Sequence, residues 1–233
     1  MTAADSAPTT PPPAGRGGNR LLTAVLAAVI AVGLLLAGGG LAVALGIGRT
    51  ESPAGDSVDA GFARDMSRHH QQAVEMANLA LVRSEDAEIQ QLAFDISATQ
   101  TNQAGRMQGW LSLWGLPRTD GEVMAWMGGG MAEMDHSGHD AAAADGAVMP
   151  GMATETELAE YRTLTGTAFD VRFLQLMIRH HQGGLEMAQY GRDHATVPAV
   201  RRLAESIADT QAAESTTMAT MLRERGGTPL PAP

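Results

Sequence analysis

The feature that most constrains the fold is an internal repeat. Residues 59–77 and residues 170–188 match without a gap at an offset of 111 positions, and both contain a His-His pair at the same place. The offset continues into a second segment, where Leu92, Ile96, Gln100, Met107 and Leu111 match Leu203, Ile207, Gln211, Met218 and Leu222. Because a repeat with one apolar face needs a partner to cover that face, we expect the two copies to pack against each other.

Each copy has the periodicity of packed α-helices. In the first copy the apolar and histidine positions step by four and three residues, as in a helix seam, at Phe62, Met66, His69, Ala73, Met76 and Ala80. The second copy repeats these steps at Phe173, Met177, His180, Gly184, Met187 and Gly191. Residues typical of helix starts interrupt the copies at positions 84–86 and 196–198. The sequence therefore predicts an all-α fold: a four-helix bundle of two tandem helical hairpins, related by a pseudo-two-fold axis.

The domain boundaries follow from the repeat. The first hairpin is predicted over residues 58–117 and the second over residues 158–227, followed by a tail over residues 228–233. Residues 118–157 are rich in Gly and Ala and lack apolar periodicity, so we interpret them as a Met/His-rich linker. Because a change in loop length has little effect on stability, deletion of residues 124–152 is expected to leave the fold intact.

An apolar segment precedes the repeats. Residues 21–48 contain Thr23 as their only ordinary polar side chain, and about 20 apolar residues are enough to span a bilayer. This length favours a retained transmembrane anchor over a cleaved signal, although Ala42-Val43-Ala44 offers a cleavage site. The sequence predicts a single-pass protein of the cell membrane, or a secreted one if the segment is cleaved.

The flanks of this segment give its orientation. Two Arg precede the span and one follows it, which places residues 1–20, a Pro-rich tail predicted to be disordered, in the cytoplasm. Residues 49–57 link the anchor to the first hairpin. The rest of the chain is then extracytoplasmic.

Composition excludes several classes of function. The chain has no Cys, which rules out disulfides, thiolate zinc sites and a Cys nucleophile. A formal net charge of −10 argues against nucleic-acid binding, which requires a basic surface. The sequence contains none of the common hydrolase or nucleotide-binding motifs. We therefore expect a protein that is not an enzyme.

The histidine pairs lie on the predicted buried seam. A lone buried histidine is usually a neutral, hydrogen-bonded core residue, but this pair occurs twice and shares a helix face with methionine each time. If the hairpins turn near residues 85 and 196, the pairs lie level with polar residues of the second helices, Gln100, Gln103, Gln211 and Glu214. The candidate metal ligands are Met66, His69, His70, Met76 and Met107 in the first copy, and Met177, His180, His181, Met187, Glu214 and Met218 in the second.

Ligand softness indicates the metal. Imidazole and thioether groups favour copper, especially Cu(I), and its analogue Ag(I). A di-iron bundle would have Glu-x-x-His, whereas this chain has Met-x-x-His in both copies. In the linker, a weaker copper site is predicted at Met131, Met134, His136 and His139. We expect the two His pairs to lie in one layer of the bundle, and the sequence leaves open whether they share an ion.

These motifs resemble the CopM-like copper-binding family, domain of unknown function 305. The resemblance covers about residues 57–227, and it carries the His-His and Met positions of both copies over as metal ligands. The family's Glu after the second-helix Gln is present as Glu214, whereas Gln103 departs from that pattern. The resemblance implies a ferritin-like helical bundle and a role in copper binding and resistance.

The combined prediction is a membrane-anchored, extracytoplasmic protein that sequesters or delivers Cu(I). Its partner would be an unidentified copper donor or acceptor protein. Two alternatives stay open. One is a metal-independent helical interaction module of the cell envelope, and the other is a ferritin-like, metal-dependent oxidase. Metal content and oxygen consumption would separate the three.

Overall fold

The computed structural model describes residues 17–44, 52–128 and 142–232, whose regular elements are helices, with no strand. The long elements are α1 (Gly17–Ala44), α2 (Val58–Arg83), α3 (Ala87–Trp114), α4 (Glu155–Thr163), α5 (Gly166–His194) and α6 (Pro198–Glu224). The predicted all-α class is confirmed. The chain divides into one unit over residues 1–51 and another over residues 52–233.

The first unit contains α1, which is apolar along its length. A stretch of 23 residues from Arg20 to Ala42 has a hydropathy of 2.6, and none of it is buried. Length and composition of this kind fit a membrane span, and a signal sequence has the same properties. The helix therefore agrees with the sequence prediction of a span or signal.

Local capping explains where the helices of the second unit begin and end. The Ser57 hydroxyl accepts a hydrogen bond from the first turn of α2 at 3.2 Å, and the Asp86 carboxylate does the same for α3 at 2.9 Å. Gly115 ends α3 with a φ of 70°, a left-handed conformation that glycine adopts without steric cost. The predicted first hairpin thus turns at residues 84–86.

The two hairpins are α2 with α3 and α5 with α6, and they meet through α2 and α5. These two helices run antiparallel, because Phe62 faces Gly191 while His69 faces Gly184. A Cβ atom at Gly191 would lie 2.7 Å from the Phe62 ring, and one at Gly184 would lie 3.1 Å from the His69 ring. The small residues on α5 therefore let aromatic and imidazole rings of α2 approach its backbone.

The histidine pairs separate two apolar clusters. The Phe62 cluster includes Phe62, Met66, Met107, Leu111, Met187 and Leu203. The Phe173 cluster includes Met76, Ala80, Ile96, Phe173, Met177 and Met218. On α2 the Phe62 cluster precedes the His pair and the Phe173 cluster follows it, whereas on α5 the order is reversed. This is the arrangement that the predicted pseudo-two-fold axis requires.

A short helix that the sequence analysis did not predict comes before the second hairpin. Helix α4 buries Leu158 and Tyr161, and the Tyr161 ring stacks on Phe169 with a centroid distance of 4.6 Å. Thr154 and Glu157 form a capping box at its start. Nine residues are too few to show a helical period in sequence, which is why the helix was not predicted. It lies across the predicted boundary at residue 158.

The predicted linker packs against the bundle at both of its described flanks. At one flank, the Trp126 indole donates to the Asp65 carboxylate at 2.8 Å. At the other, residues 149–153, which we call the strap, bury Met149 and Met152. The Gln72 side chain hydrogen-bonds both the N–H and the carbonyl of Ala153, at 2.7 and 2.9 Å. These buried contacts at both flanks argue against the expectation that residues 124–152 are dispensable, which stays a prediction to be tested.

Candidate metal centre

The four histidines of the two pairs lie together in the bundle interior. His69, His70, His180 and His181 are all fully buried. The His69 and His180 rings, from different hairpins, have centroids 3.8 Å apart and planes inclined by 34°, while the His180 and His181 centroids are 6.3 Å apart. The prediction that both pairs lie in one layer is confirmed. We call this group the imidazole layer.

The register of the two helices within each hairpin also agrees with the sequence prediction. His70 contacts Gln103 through Nε2 and the amide Oε1 at 2.8 Å. At the equivalent place in the second hairpin, His181 Nε2 lies 2.7 Å from Glu214 Oε2. Of the polar residues that interrupt the apolar stripes of α3 and α6, Gln103 and Glu214 are thus the partners of the second histidine in each pair.

The first histidine of each pair bonds to a backbone carbonyl. His69 Nε2 lies 3.0 Å from the carbonyl oxygen of Pro150 in the strap. His180 Nε2 lies 3.0 Å from the carbonyl oxygen of His69 itself. The repeat predicted neither contact, although Gly183, in the place that Gln72 takes in the first copy, hints at a close approach. A Cβ atom at Gly183 would overlap the Pro150 carbonyl.

These contacts fix the tautomer of the rings. Carbonyl and carboxylate oxygens only accept hydrogen bonds, so Nε2 carries the proton in His69, His180 and His181, and the amide oxygen of Gln103 assigns the same tautomer to His70. Each Nδ1 then carries a free lone pair. All four Nδ1 atoms are buried and, among the residues that the structure describes, have no hydrogen-bond partner.

Unpartnered buried acceptors are costly, by about 1–3 kcal/mol each. The amide groups of Gln100 and Gln211 are likewise buried without a partner in the described ranges. The Gln211 amide lies next to Gly184, which in turn faces His69. A bonding deficit this large, concentrated in one layer, is what a site for a cation or a bound ligand produces.

Burial keeps the imidazoles of His69, His70 and His180 neutral. Burial lowers the pKa of His69 to about 4, against the opposing effect of its hydrogen bond to Pro150. Burial, with the neighbouring His69 acting in the same direction, lowers the pKa of His70 to about 3. The pKa of His180 also lies well below its usual range, again because of burial first. Neutral imidazole is the form that binds metal ions.

The predicted methionine ligands belong to the two clusters that flank the layer, and each cluster contains residues of both copies. Met66 and Met107 of the first hairpin share the Phe62 cluster with Met187 of the second. Met177 and Met218 of the second share the Phe173 cluster with Met76 of the first. All six side chains are at most 1% exposed. The strap adds Met149 and Met152 to the Phe62 side alone, two thioethers that the sequence analysis did not assign to the site.

The side chains that could bind a metal ion here are soft donors, imidazole and thioether. Within residues 17–44, 52–128 and 142–232, no three His, Cys, Asp or Glu side chains are arranged to hold a metal ion together. The residues fit a soft ion, since the four Nδ1 atoms, without a partner in the described ranges, are buried in a layer that two methionine-containing clusters flank. The predicted linker ligands Met131, Met134, His136 and His139 lie outside the described residues.

Fold and site together define a helical bundle that buries paired histidines between two methionine-containing clusters. The family model for the domain of unknown function DUF305 matches residues 59–222. The chain belongs to this family, and its structural neighbours include CopM, as the sequence predicted. No curated protein matches the chain.

Three solved relatives share the fold. A DUF305 protein from Streptomyces coelicolor, a candidate secreted protein, is 44% identical over 76% of this chain and 99% of its own, with a TM-score of 0.67. A DUF305 fragment from Deinococcus radiodurans is 33% identical over 72% of this chain and 96% of its own, with a TM-score of 0.58. CopM in its Cu(I)-bound form is 25% identical over 72% of this chain and 98% of its own, with a TM-score of 0.54. CopM was also solved with Cu(II).

Proposed function

We propose that this protein binds copper in the imidazole layer, with Cu(I) as the favoured ion, and that it sequesters the ion or hands it on. One observation carries the proposal: four buried Nδ1 atoms, each with a lone pair and without a partner in the described residues, lie between two clusters that contain methionine. The copper-bound structures of CopM, a structural neighbour, support the choice of copper as the metal.

Softness favours Cu(I) and Ag(I) over harder cations. The candidate donors in and beside the layer are imidazole nitrogen and thioether sulfur, which suit monovalent copper, whereas carboxylate-rich sites suit Mg, Ca and Mn. The bare Nδ1 atoms need no deprotonation before they bind, because the proton already resides on Nε2. We propose a binding role and not catalysis, since the buried, neutral imidazoles of His69, His70 and His180 hold their protons in hydrogen bonds instead of presenting them to a substrate.

Helix α1 supports an extracytoplasmic location. A 23-residue apolar stretch fits a membrane anchor, and three Arg flank the segment with two of them on its amino-terminal side. We propose that α1 anchors the bundle at the outer face of the cell membrane. Copper would then be bound outside the cytoplasm and passed to a partner protein there.

Metal binding by the full chain in detergent tests the proposal. Cu(I) under anaerobic conditions and Ag(I) should both bind in competition with a chelator, and replacement of all four layer histidines by Ala should abolish tight binding. His194→Ala is the matched control, because His194 is exposed at the end of α5. A parent chain that binds neither ion would refute the proposal, and iron with oxygen consumption would favour the oxidase alternative.

A further inference from the structure

The two hairpins differ in the group that stands behind the second histidine of each pair. His70 and His181 occupy equivalent repeat positions, both are fully buried, and both use Nε2 for a hydrogen bond to a residue 33 positions later. The geometry is matched within 0.1 Å, at 2.8 and 2.7 Å. The partner is a neutral amide in the first hairpin, Gln103, and a carboxylate in the second, Glu214.

Both partners orient the ring, but only one adds charge. The amide oxygen of Gln103 and the carboxylate of Glu214 each hold the Nε2 proton and leave Nδ1 free. A carboxylate also polarises the imidazole, makes Nδ1 more basic and attracts a cation bound to it. The Glu214 side chain is 19% exposed, so water weakens this attraction without removing it.

We propose that Glu214 is a positioning residue that makes the His181 half of the layer the stronger cation site, and that Gln103 leaves the His70 half the weaker one. The inference rests on the proposed copper function. In this arrangement Glu214 binds its histidine and not the ion. Coulomb attraction scales with the charge of the ion, so the same carboxylate raises affinity for Cu(II) more than for monovalent Ag(I). Glu214 thereby sets how strongly the layer discriminates between oxidation states.

The experiment compares Glu214→Gln with Glu186→Gln in the full chain in detergent, with Ag(I) and Cu(II) as separate probes. Both variants remove one negative charge, and Glu186 is exposed on the same helix as His181. Glu214→Gln gives His181 the amide partner that His70 already has, so the fold should persist, as circular dichroism will check. We expect Ag(I) affinity to fall about tenfold, Cu(II) affinity to fall by a larger factor, and Glu186→Gln to change neither.

A swapped variant separates positioning from direct ligation. Glu214→Gln combined with Gln103→Glu moves the carboxylate behind His70 and should restore affinity and the ratio of Cu(II) to Ag(I) binding. Affinity that stays low in the swap would show that Glu214 contacts the ion directly, and would overturn the inference. Equal behaviour of Glu214→Gln and Glu186→Gln would overturn it as well while the copper function stands. A parent chain that binds neither probe would defeat the proposed function itself.

Discussion

The two hairpins carry a His-His pair at the same position of the repeat, but the hydrogen-bond partners of the histidines differ. His180 donates to the carbonyl of His69, whereas His69 donates to Pro150 in the strap instead of to the equivalent carbonyl on α5. The duplicated helices thus fix where the imidazoles lie. The first histidines differ in that only His69 bonds to a group outside the duplicated helices. The second histidines differ in the charge of their partners, which occupy equivalent repeat positions, Gln103 and Glu214.

The two hairpins also contact the strap differently, at the equivalent positions Gln72 and Gly183. Gln72 on α2 binds Ala153 through two hydrogen bonds, while Gly183 on α5 leaves room for the Pro150 carbonyl. The missing side chain at Gly183 and the polar side chain of Gln72 therefore let the strap pack against both helices. The first copy of the repeat hydrogen-bonds the strap, and the second copy leaves space for it.

The largest expected effect is a loss of stability in acid. The folded protein keeps His69, His70 and His180 neutral, with pKa values of about 4 and 3 for the first two, whereas the unfolded chain binds a proton at each near pH 6.5. Stability is therefore complete above pH 6.5 and falls as the pH drops towards 4, by about 1.4 kcal/mol per pH unit for each histidine. Denaturant unfolding of the metal-free protein from pH 7.5 to 4.5 measures this loss.

A variant of the first hairpin sharpens the same measurement. Gln103→Glu gives His70 the carboxylate partner that His181 has, which favours the protonated ring and raises the pKa of His70. Its acid loss should be shallower than that of the parent chain, while His194→Ala should leave the profile unchanged. A parent profile that is flat down to pH 4.5 would mean that water reaches the layer in the folded protein.

Replacement of the strap should have the next largest effect. A Gly/Ser segment of equal length over residues 149–153 removes two buried methionines, each worth about 2–5 kcal/mol, and keeps the backbone groups that bond to Gln72 and His69. We expect a loss of at least about 4 kcal/mol in the free energy of unfolding. Replacement of the exposed residues 119–120 by Gly and Ser is the control. Equal stabilities would restore the view that the linker is dispensable.

Adding a methyl group at Gly183 tests the asymmetry at that position alone. Gly183→Ala forces Cβ into the Pro150 carbonyl, a backbone group that cannot rotate away, so we expect a loss of about 1–3 kcal/mol. Gly105→Ala on α3 meets no atom within 4 Å and should stabilise by about 0.5–1 kcal/mol. Opposite signs in thermal melts would support the close approach, and a gain at both positions would contradict it.

The smallest effect compares two equivalent carboxylates. Asp59 accepts hydrogen bonds from the N–H and hydroxyl of Thr196 and from the N–H of Val197, at 3.1, 2.8 and 2.8 Å, and so caps α6 from the other hairpin. Oδ1 of its counterpart Asp170 has no partner among the described residues. Asp59→Ala should therefore destabilise by about 1 kcal/mol and Asp170→Ala by less. Equal losses would show that both ends of the bundle are capped alike.

Part of the site was predictable because it depends on local spacing. The steps of three and four residues place Phe62, Met66 and His69 on one helix face, and all three are fully buried. The offset of 111 residues gave the second pair, and the hairpin turns gave the level of Gln103 and Glu214. The shared helix face, the second histidine pair and the level of Gln103 and Glu214 all follow from spacing along the chain. The sequence alone was therefore enough to indicate them.

The rest of the site was decided by tertiary contacts between residues far apart in the chain. Pro150 reaches His69 across 81 positions, and α4 is too short to show a period. The antiparallel crossing of α2 and α5 makes Met187 share a cluster with Met66 instead of with Met177.

Helical periodicity is encoded in neighbouring residues, so the sequence was enough to predict a duplicated helical hairpin that buries two His-His pairs with methionine. Which imidazole nitrogen stays free depended on tertiary packing. That choice depends on the group at the other nitrogen, a strap carbonyl for His69 and a carboxylate for His181. Such partners come into reach only once the helices and the strap have packed, since a hydrogen bond acts over about 3 Å.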